Sequence, residues 1–373
     1  MKVAIAYDWL NVKHGGGEDT LAQIAELYPN ADIFCLIYNR KKFGELFGNR
    51  NITTSSLQNF PSFIKKRPQL LLPFIKRAVN NLDFTGYDLV ISVSSAWVKN
   101  ITVPGSTKHV SYCFSPARML WDSWPAYIEE KNFTTPIVGP MLKFFVINLV
   151  SNLRLWDYYS SAGVDSFIAI SNHVADRIEK FYGRKSVVLY PPVKIATTLK
   201  PKLVSEPYYL MVSVLASYKN IELAIEAFKL NKKRLLIAGD GPDRQRLMGL
   251  VAAPDSKIEF LGRISESEKY SLLAGAQAFI FTSIEDFGIA PVEAMSQGTP
   301  VIALKGGGLN ETVKDGVTGV FYSDATPQSL NRAITKLSSL KLSRQRIIRS
   351  VDKFSNKNFS NNFKAAINKL VVK

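Results

Sequence analysis

The chain alternates short, nearly unbroken apolar runs with longer segments whose apolar residues recur every three or four positions. Lys2–Tyr7 is a run of the first kind and reads as a strand, whereas Glu18–Leu27 is of the second kind and reads as a helix. Asp32–Ile37, Tyr87–Val93, His109–Cys113 and Ser166–Ile170 repeat the strand pattern, and a helix over Asn172–Phe181 follows the last of them. Near-continuous apolarity over so few residues suits a parallel strand buried on both faces. The alternation stops at Val188-Leu189-Tyr190-Pro191-Pro192-Val193, where paired prolines end regular structure. It then restarts, with strands at Tyr208–Val214, Arg234–Ala238, Ile258–Leu261, Ala278–Phe281 and Pro300–Ala303. Helices fall between them at Ile221–Leu230, Asp243–Leu250, Ser267–Ala274 and Pro291–Gln297, and a last one is read at about Asn361–Val371. Two such series predict an α/β chain with two parallel sheets, and ligands are expected in a cleft between them.

Candidate chemistry concentrates in Ser283–Met295. Glu285 follows an apolar run that reads as a strand, and Glu293 lies inside a helical pattern. Between them the chain turns at Phe287-Gly288-Ile289, where a glycine lets backbone N–H groups approach a ligand. Those N–H groups then open a helix, which makes the loop a candidate anion site with a carboxylate at either end. Such a set suits a phosphorylated, polyhydroxylated ligand, because carboxylates accept from sugar hydroxyls. The spacing alone also fits a strand–loop–helix unit with two solvated acids.

The segment resembles the E-x7-E signature of retaining glycosyltransferases with the GT-B fold, of the family 4 type that includes bacterial O-antigen and exopolysaccharide mannosyltransferases. The resemblance continues through Gly298-Thr299-Pro300-Val301-Ile302-Ala303, Gly306-Gly307-Gly308-Leu309-Asn310-Glu311-Thr312-Val313 and Asp315-Gly316-Val317-Thr318-Gly319, and upstream through Ile237-Ala238-Gly239-Asp240-Gly241-Pro242. It covers nearly the whole chain and is strongest from about Tyr208 to Phe321. It implies two Rossmann-like domains facing a central cleft. Residues 1–193 would bind the acceptor, 194–354 would bind a nucleotide-sugar, and a helix in 355–373 would cross back to the first domain. Glu293 would hold the ribose, and Glu285 with the N–H groups near Phe287, Gly288 and Ile289 would hold the sugar. Lys219 would neutralise the diphosphate, so that Glu285 and Lys219 are the expected catalytic pair.

The same resemblance places Gly15, Gly16 and Gly17, a glycine-rich turn ahead of Glu18, beside the donor. Three glycines in a row are equally a plain flexible turn. Tyr112–Asp122 looks like the family's Y-C-H-T-P-M-R-Y-L-W-D block, which makes Phe114, Arg118 and Trp121 candidate acceptor or sugar contacts. Two positions depart from the pattern. The family's histidine is Phe114 here, and the arginine usual five residues before Lys219 is Val214. Trp121 and Trp124 are open to stacking on a sugar or to a place in the core.

Composition narrows the setting. The 373 residues are 46% hydrophobic, enough for two domains, and carry a net charge of +16. The excess divides evenly, with 22 basic against 15 acidic residues in 1–195 and 25 against 16 in 196–373. No zinc spacing, aromatic–basic RNA signature or helix-turn-helix pattern accompanies it, so no nucleic-acid partner is expected. Phe60–Leu82 mixes apolar residues with Lys65, Lys66, Arg67, Lys76 and Arg77. That mixture suits an interfacial helix on an anionic leaflet, or equally a helix on the core with a solvated basic edge. Cys35 and Cys113 are the only cysteines and lie in apolar contexts, as in a reducing compartment. Neither a secretory leader nor a membrane span is legible; Pro136–Val150 is interrupted by Gly139, Pro140 and Lys143. The expected location is cytoplasmic, peripheral at the inner face of the membrane. The expected reaction moves a hexose, mannose from GDP-mannose, to a glycan or polyprenyl-diphosphate-linked acceptor with retained configuration. No cofactor or metal is expected. The alternatives are a UDP-sugar donor and a non-catalytic nucleotide-sugar-binding subunit.

Overall fold

The computed structural model describes residues 1–11, 15–48, 50–65, 67–122, 138–195, 206–251 and 257–371. Trp124 lies outside them. Its contacts divide the chain into two compact units, Met1–Pro191 with Phe359–Lys373, and Pro192–Asn358.

The first unit holds seven strands: β1 Val3–Leu10, β2 Asp32–Tyr38, β3 Ile52–Thr54, β4 Leu89–Ser94, β5 Lys108–Cys113, β6 Ser166–Ala169 and β7 Ser186–Val188. They form one parallel sheet in the order β3-β2-β1-β4-β5-β6-β7. β4 is buried along its whole length, and β1 at all but one position, as central parallel strands require. The helix Asn172–Tyr182 shows how local sequence sets its bounds. The Ser171 hydroxyl accepts from the Val174 N–H at 3.1 Å, and Gly183 ends the helix at φ +64°. Its buried residues, Val174, Ile178 and Tyr182, fall four apart on one face.

The second unit holds β8 Tyr208–Val212, β9 Arg234–Ala238, β10 Ile258–Gly262, β11 Ala278–Phe281, β12 Val301–Leu304 and β13 Gly319–Tyr322. These are also parallel, in the order β10-β9-β8-β11-β12-β13. Its core packs Tyr209, Phe228, Leu235, Ile302, Val320 and Leu330 together. In both sheets the strand order reverses once, between β1 and β4 and between β8 and β11. The carboxyl ends of those strands are where open α/β sheets take their ligands.

Several elements differ from the pattern reading. Gly16 and Gly17 are not a turn; they open the helix Gly16–Leu27, with Gly15 extended ahead of it. Phe60–Leu82 is not one helix but a series: Ser62–Lys65, a 3-10 turn Pro68–Leu71, and Leu72–Asn80. Pro61, Pro68 and Pro73 interrupt it, since proline lacks the donor a continuous helix needs. The piece Leu72–Asn80 buries Leu72, Ile75, Ala78 and Val79, while Phe63, Leu70 and Phe74 stay exposed. Gly139 and Pro140 do not prevent a helix, because they fall in the first turn of Val138–Ser160, where the backbone N–H is unpaired anyway. Among the described residues no helix is long and apolar enough to cross a membrane. The final helix, Asn356–Val371, buries Phe359, Phe363 and Ile367; the rings of Phe359 and Phe363 each meet Tyr112 of β5 at 5.8 Å.

Candidate functional site

The candidate residues fall into two groups, one on each unit. On the second unit, β8 runs into a 3-10 turn, Ser217–Lys219, and β11 runs into the loop that carries Glu285. β8 and β11 are neighbours at the reversal of strand order, so both loops leave the same edge of the sheet. Lys219 and Glu285 consequently meet as an ion pair, although 66 residues separate them. Thr282 fixes the pair's footing by donating to the Lys219 carbonyl at 2.7 Å, and the Ser283 hydroxyl donates to Glu285 Oε1 at 3.3 Å. The Lys219 ammonium also lies 5.1 Å from the centre of the Tyr218 ring. The two charged side chains are 17% and 22% exposed, which leaves them reachable by a ligand.

Past Glu285 the loop is pinned from below. Phe287 is buried and meets Phe354 edge to face at 5.2 Å. Gly288 takes φ +87° and a Cβ there would lie 2.6 Å from Leu309 Cδ2, so both backbone and space demand glycine. The helix Ile289–Ser296 begins directly after it, two residues earlier than the hydrophobic pattern indicated. The run Gly306-Gly307-Gly308 supplies the floor. Gly308 donates to the Glu285 carbonyl at 2.8 Å, and Cβ atoms at Gly307 and Gly308 would overlap the Glu285 and Asp286 carbonyls.

Glu293, on the helix Ile289–Ser296, is only 14% exposed. Its Oε1 accepts from Lys269 Nζ at 2.8 Å and lies 3.3 Å from the Tyr270 hydroxyl. Burial pushes the Glu293 carboxyl above its ordinary range, and Lys269 opposes that shift. For Lys269, burial works against the charge, but Glu293 and Glu266 outweigh it and hold the ammonium above its ordinary value. Lys269 is not legible in the sequence, because it sits among charged residues of a helix whose pattern looks solvent-facing. Its separation of 24 residues from Glu293 offers no cue.

On the first unit, the glycines and Phe114 come together. A Cβ at Gly17 would lie 2.7 Å from the Tyr7 hydroxyl and 3.8 Å from the Phe114 ring. The Tyr7 hydroxyl in turn donates to Glu18 at 3.0 Å. Phe114 follows β5, is half-buried, and packs edge-on against Tyr112 at 5.6 Å. Arg118 is half-buried and begins the short helix Arg118–Trp121. Trp121 takes a structural place: its indole donates to Asp157 at 2.8 Å and it stacks on Phe181 at 4.9 Å. Asp157 also accepts from Lys99, Asn100 and Tyr182, at 2.7, 2.8 and 2.7 Å. Asp8 is a second buried carboxylate that the pattern hid within β1. It accepts the backbone N–H groups of Ser95, Ala96, Trp97 and Val98 at 2.7–2.9 Å.

Two parallel Rossmann-like sheets, each with its candidate residues after strands at or beside the reversal, define the GT-B architecture. Residues 198–354 match the family model described as glycosyl transferases group 1. An uncharacterized glycosyltransferase of Methanocaldococcus jannaschii is 29% identical over 189 residues, 49% of this chain and 52% of that protein. The alpha-1,3/1,6-mannosyltransferase ALG2 of Dictyostelium discoideum is 29% identical over 199 residues, 45% of this chain and 47% of its own length. The chain thus spans about half the length of the curated relatives it matches. Among solved structures, Anabaena HepE in complex with UDP superposes with a TM-score of 0.68 at 18% identity, covering 99% of this chain and 100% of the other. At that identity the likeness concerns the fold.

Proposed function

We propose that the chain is a retaining glycosyltransferase of bacterial surface-polysaccharide assembly that transfers a hexose, mannose from GDP-mannose, to a lipid-linked or free glycan. The observation that carries this reading is the meeting of Lys219 and Glu285 where the strand order reverses, over a floor of three glycines. The similarity to a mannosyltransferase supports the sugar, and the fold likeness to a UDP complex supports a nucleotide-linked donor, with UDP-sugars as the other candidates.

In this mechanism the donor separates the pair. Its diphosphate takes the Lys219 ammonium, and the sugar hydroxyls take the Glu285 carboxylate. The N–H groups opening the helix Ile289–Ser296 add partial positive charge nearby, and the ribose binds Glu293. The acceptor oxygen forms its bond to the anomeric carbon as the bond to the diphosphate oxygen breaks. The acceptor's proton passes to that departing oxygen, so no protein base is required. Lys219 stabilises the charge that develops on the leaving group, a role open to a metal in other transferases. Donor binding is therefore metal-independent. Exposed Phe63, Leu70 and Phe74 beside Lys76 and Arg77 support a peripheral, salt-sensitive attachment to an anionic inner leaflet.

Calorimetry with GDP-, UDP- and ADP-sugars in EDTA, followed by transfer of radiolabelled sugar to a lipid-linked glycan extract, tests the proposal. Binding that vanishes with the chelator refutes the metal-free site. Glu285→Gln is expected to lower turnover about 100-fold with little change in donor Kd, since its contact strengthens in the transition state. The apolar Phe114 and Val214 favour one other reading, a non-catalytic nucleotide-sugar-binding subunit. Binding without transfer of any sugar would select it.

A further inference from the structure

Lys269 lies on the helix Glu266–Gly275, whose Ser265 cap accepts from the Glu268 N–H at 3.2 Å. A lysine on such a helix ordinarily extends into water. This one is 12% exposed and aims its ammonium at Glu293 Oε1, 2.8 Å away, and at Glu266 Oε1, 3.0 Å away. Its ammonium also lies 4.9 Å from the centre of the Tyr270 ring. Removing both Lys269 and Glu293 from water is costly, and two apolar side chains of similar volume would join the helices as well or better. Stability is therefore a poor account of the pair.

The distribution of contacts offers a better one. Lys269 donates to Oε1, and the Tyr270 hydroxyl, which donates to the Lys194 carbonyl at 2.8 Å, lies 3.3 Å from the same oxygen, while Oε2 of Glu293 makes no hydrogen bond to any described residue. The carboxylate is thus held by one oxygen with the other uncommitted. Ionised, it offers acceptor sites only, which is what a vicinal diol needs. Protonated, it would present a donor and lose half of that capacity. The other charged groups around it are few. Glu266, from the same helix as Lys269, raises the tendency of Glu293 to take a proton, and Tyr270 lowers it. From the helix Arg344–Ser350, Arg344 packs over Gly298 and donates to the Ala274 carbonyl at 3.1 Å.

We propose that Lys269 is the positioning residue of the nucleotide ribose subsite: it keeps Glu293 ionised and fixes Oε1, so that Oε2 accepts the ribose diol. This rests on the proposed assignment of Glu293 to the ribose and extends it to a residue outside the signature. Without Lys269, burial would favour the protonated carboxyl, and nucleotide binding would weaken as pH falls.

Titration calorimetry of GDP, UDP and ADP between pH 6 and 8.5 provides the test, on the full chain and on Lys269→Met and Lys269→Arg. The unaltered protein is expected to bind one of the three with nearly constant Kd across this range. Lys269→Met should bind about tenfold or more weakly at pH 6, the loss expected for a hydrogen bond to a charged group, and recover as pH rises. Lys269→Arg should restore a flat profile. A purely structural lysine would lower Tm without tilting the pH profile. Lys269→Gln, which keeps a donor without the charge, replaces the methionine variant should that fail to fold. Equal Kd values and parallel pH profiles for the neutral variant and the unaltered chain overturn the inference while leaving the glycosyltransferase reading intact. Absence of binding by all three nucleotides to the unaltered protein overturns both.

Discussion

Replacing Gly308 by alanine tests whether the glycine floor sets the position of the Glu285 loop. Gly308 has φ −64° and ψ −14°, which alanine adopts without strain, so any penalty comes from contact alone. The new methyl group would overlap the Asp286 carbonyl oxygen and lie 2.5 Å from Phe287 Cα. Ordinary contact begins near 3.4 Å, so the loop must retreat by about 1 Å. Overpacking of that kind costs roughly 1–3 kcal/mol, against about 0.4–1 kcal/mol gained from a stiffer unfolded chain. Net stability should fall by about 1–2 kcal/mol. A displacement of about 1 Å at Glu285, in its proposed contact with the reacting sugar, can lower turnover about 100-fold. Gly249→Ala is the control, since nothing lies within 4 Å of its Cβ position. Thermal unfolding of both variants, with initial rates on the donor identified by calorimetry, gives the comparison. Unchanged turnover together with a raised Tm for Gly308→Ala would refute the argument.

Two further outcomes concern the scaffold of the first unit. His109 is buried, with its Nε2 at 2.8 Å from the Ser92 hydroxyl, and burial pulls its pKa from 6.5 to about 4. The folded state therefore binds the proton more weakly than the unfolded chain, so the contribution to stability is full above pH 6.5 and is lost as pH falls towards 4, by about 3 kcal/mol in total. Chemical denaturation at pH 7, 5.5 and 4.5 should show a shallower acid loss for His109→Leu than for the unaltered chain, and identical slopes contradict the assignment. Asp8→Ala would orphan the N–H groups of Ser95, Ala96, Trp97 and Val98, at a cost on the order of 3 kcal/mol or more. A midpoint shift in urea smaller than the error of measurement would show those groups have other partners.

The sequence by itself determined the layering. An apolar run such as β11 has no polar face to offer water, so it had to become a buried parallel strand with helices on either side. It also determined local bounds where a single residue decides them, as Ser171 and Gly183 do for Asn172–Tyr182. The Glu285–Glu293 signature was legible for the same reason, because its strand, glycine and helix are neighbours in the chain. Partners distant in sequence were decided by the tertiary structure alone. Strand order brings Lys219 to Glu285 and sets Gly308 under the Glu285 loop. Helix packing brings Lys269 to Glu293 and turns Trp121 towards Asp157. Periodicity reports which face of an element is buried, but not what that face meets. A charged residue that finds a buried partner across the fold reads in sequence like one that faces water.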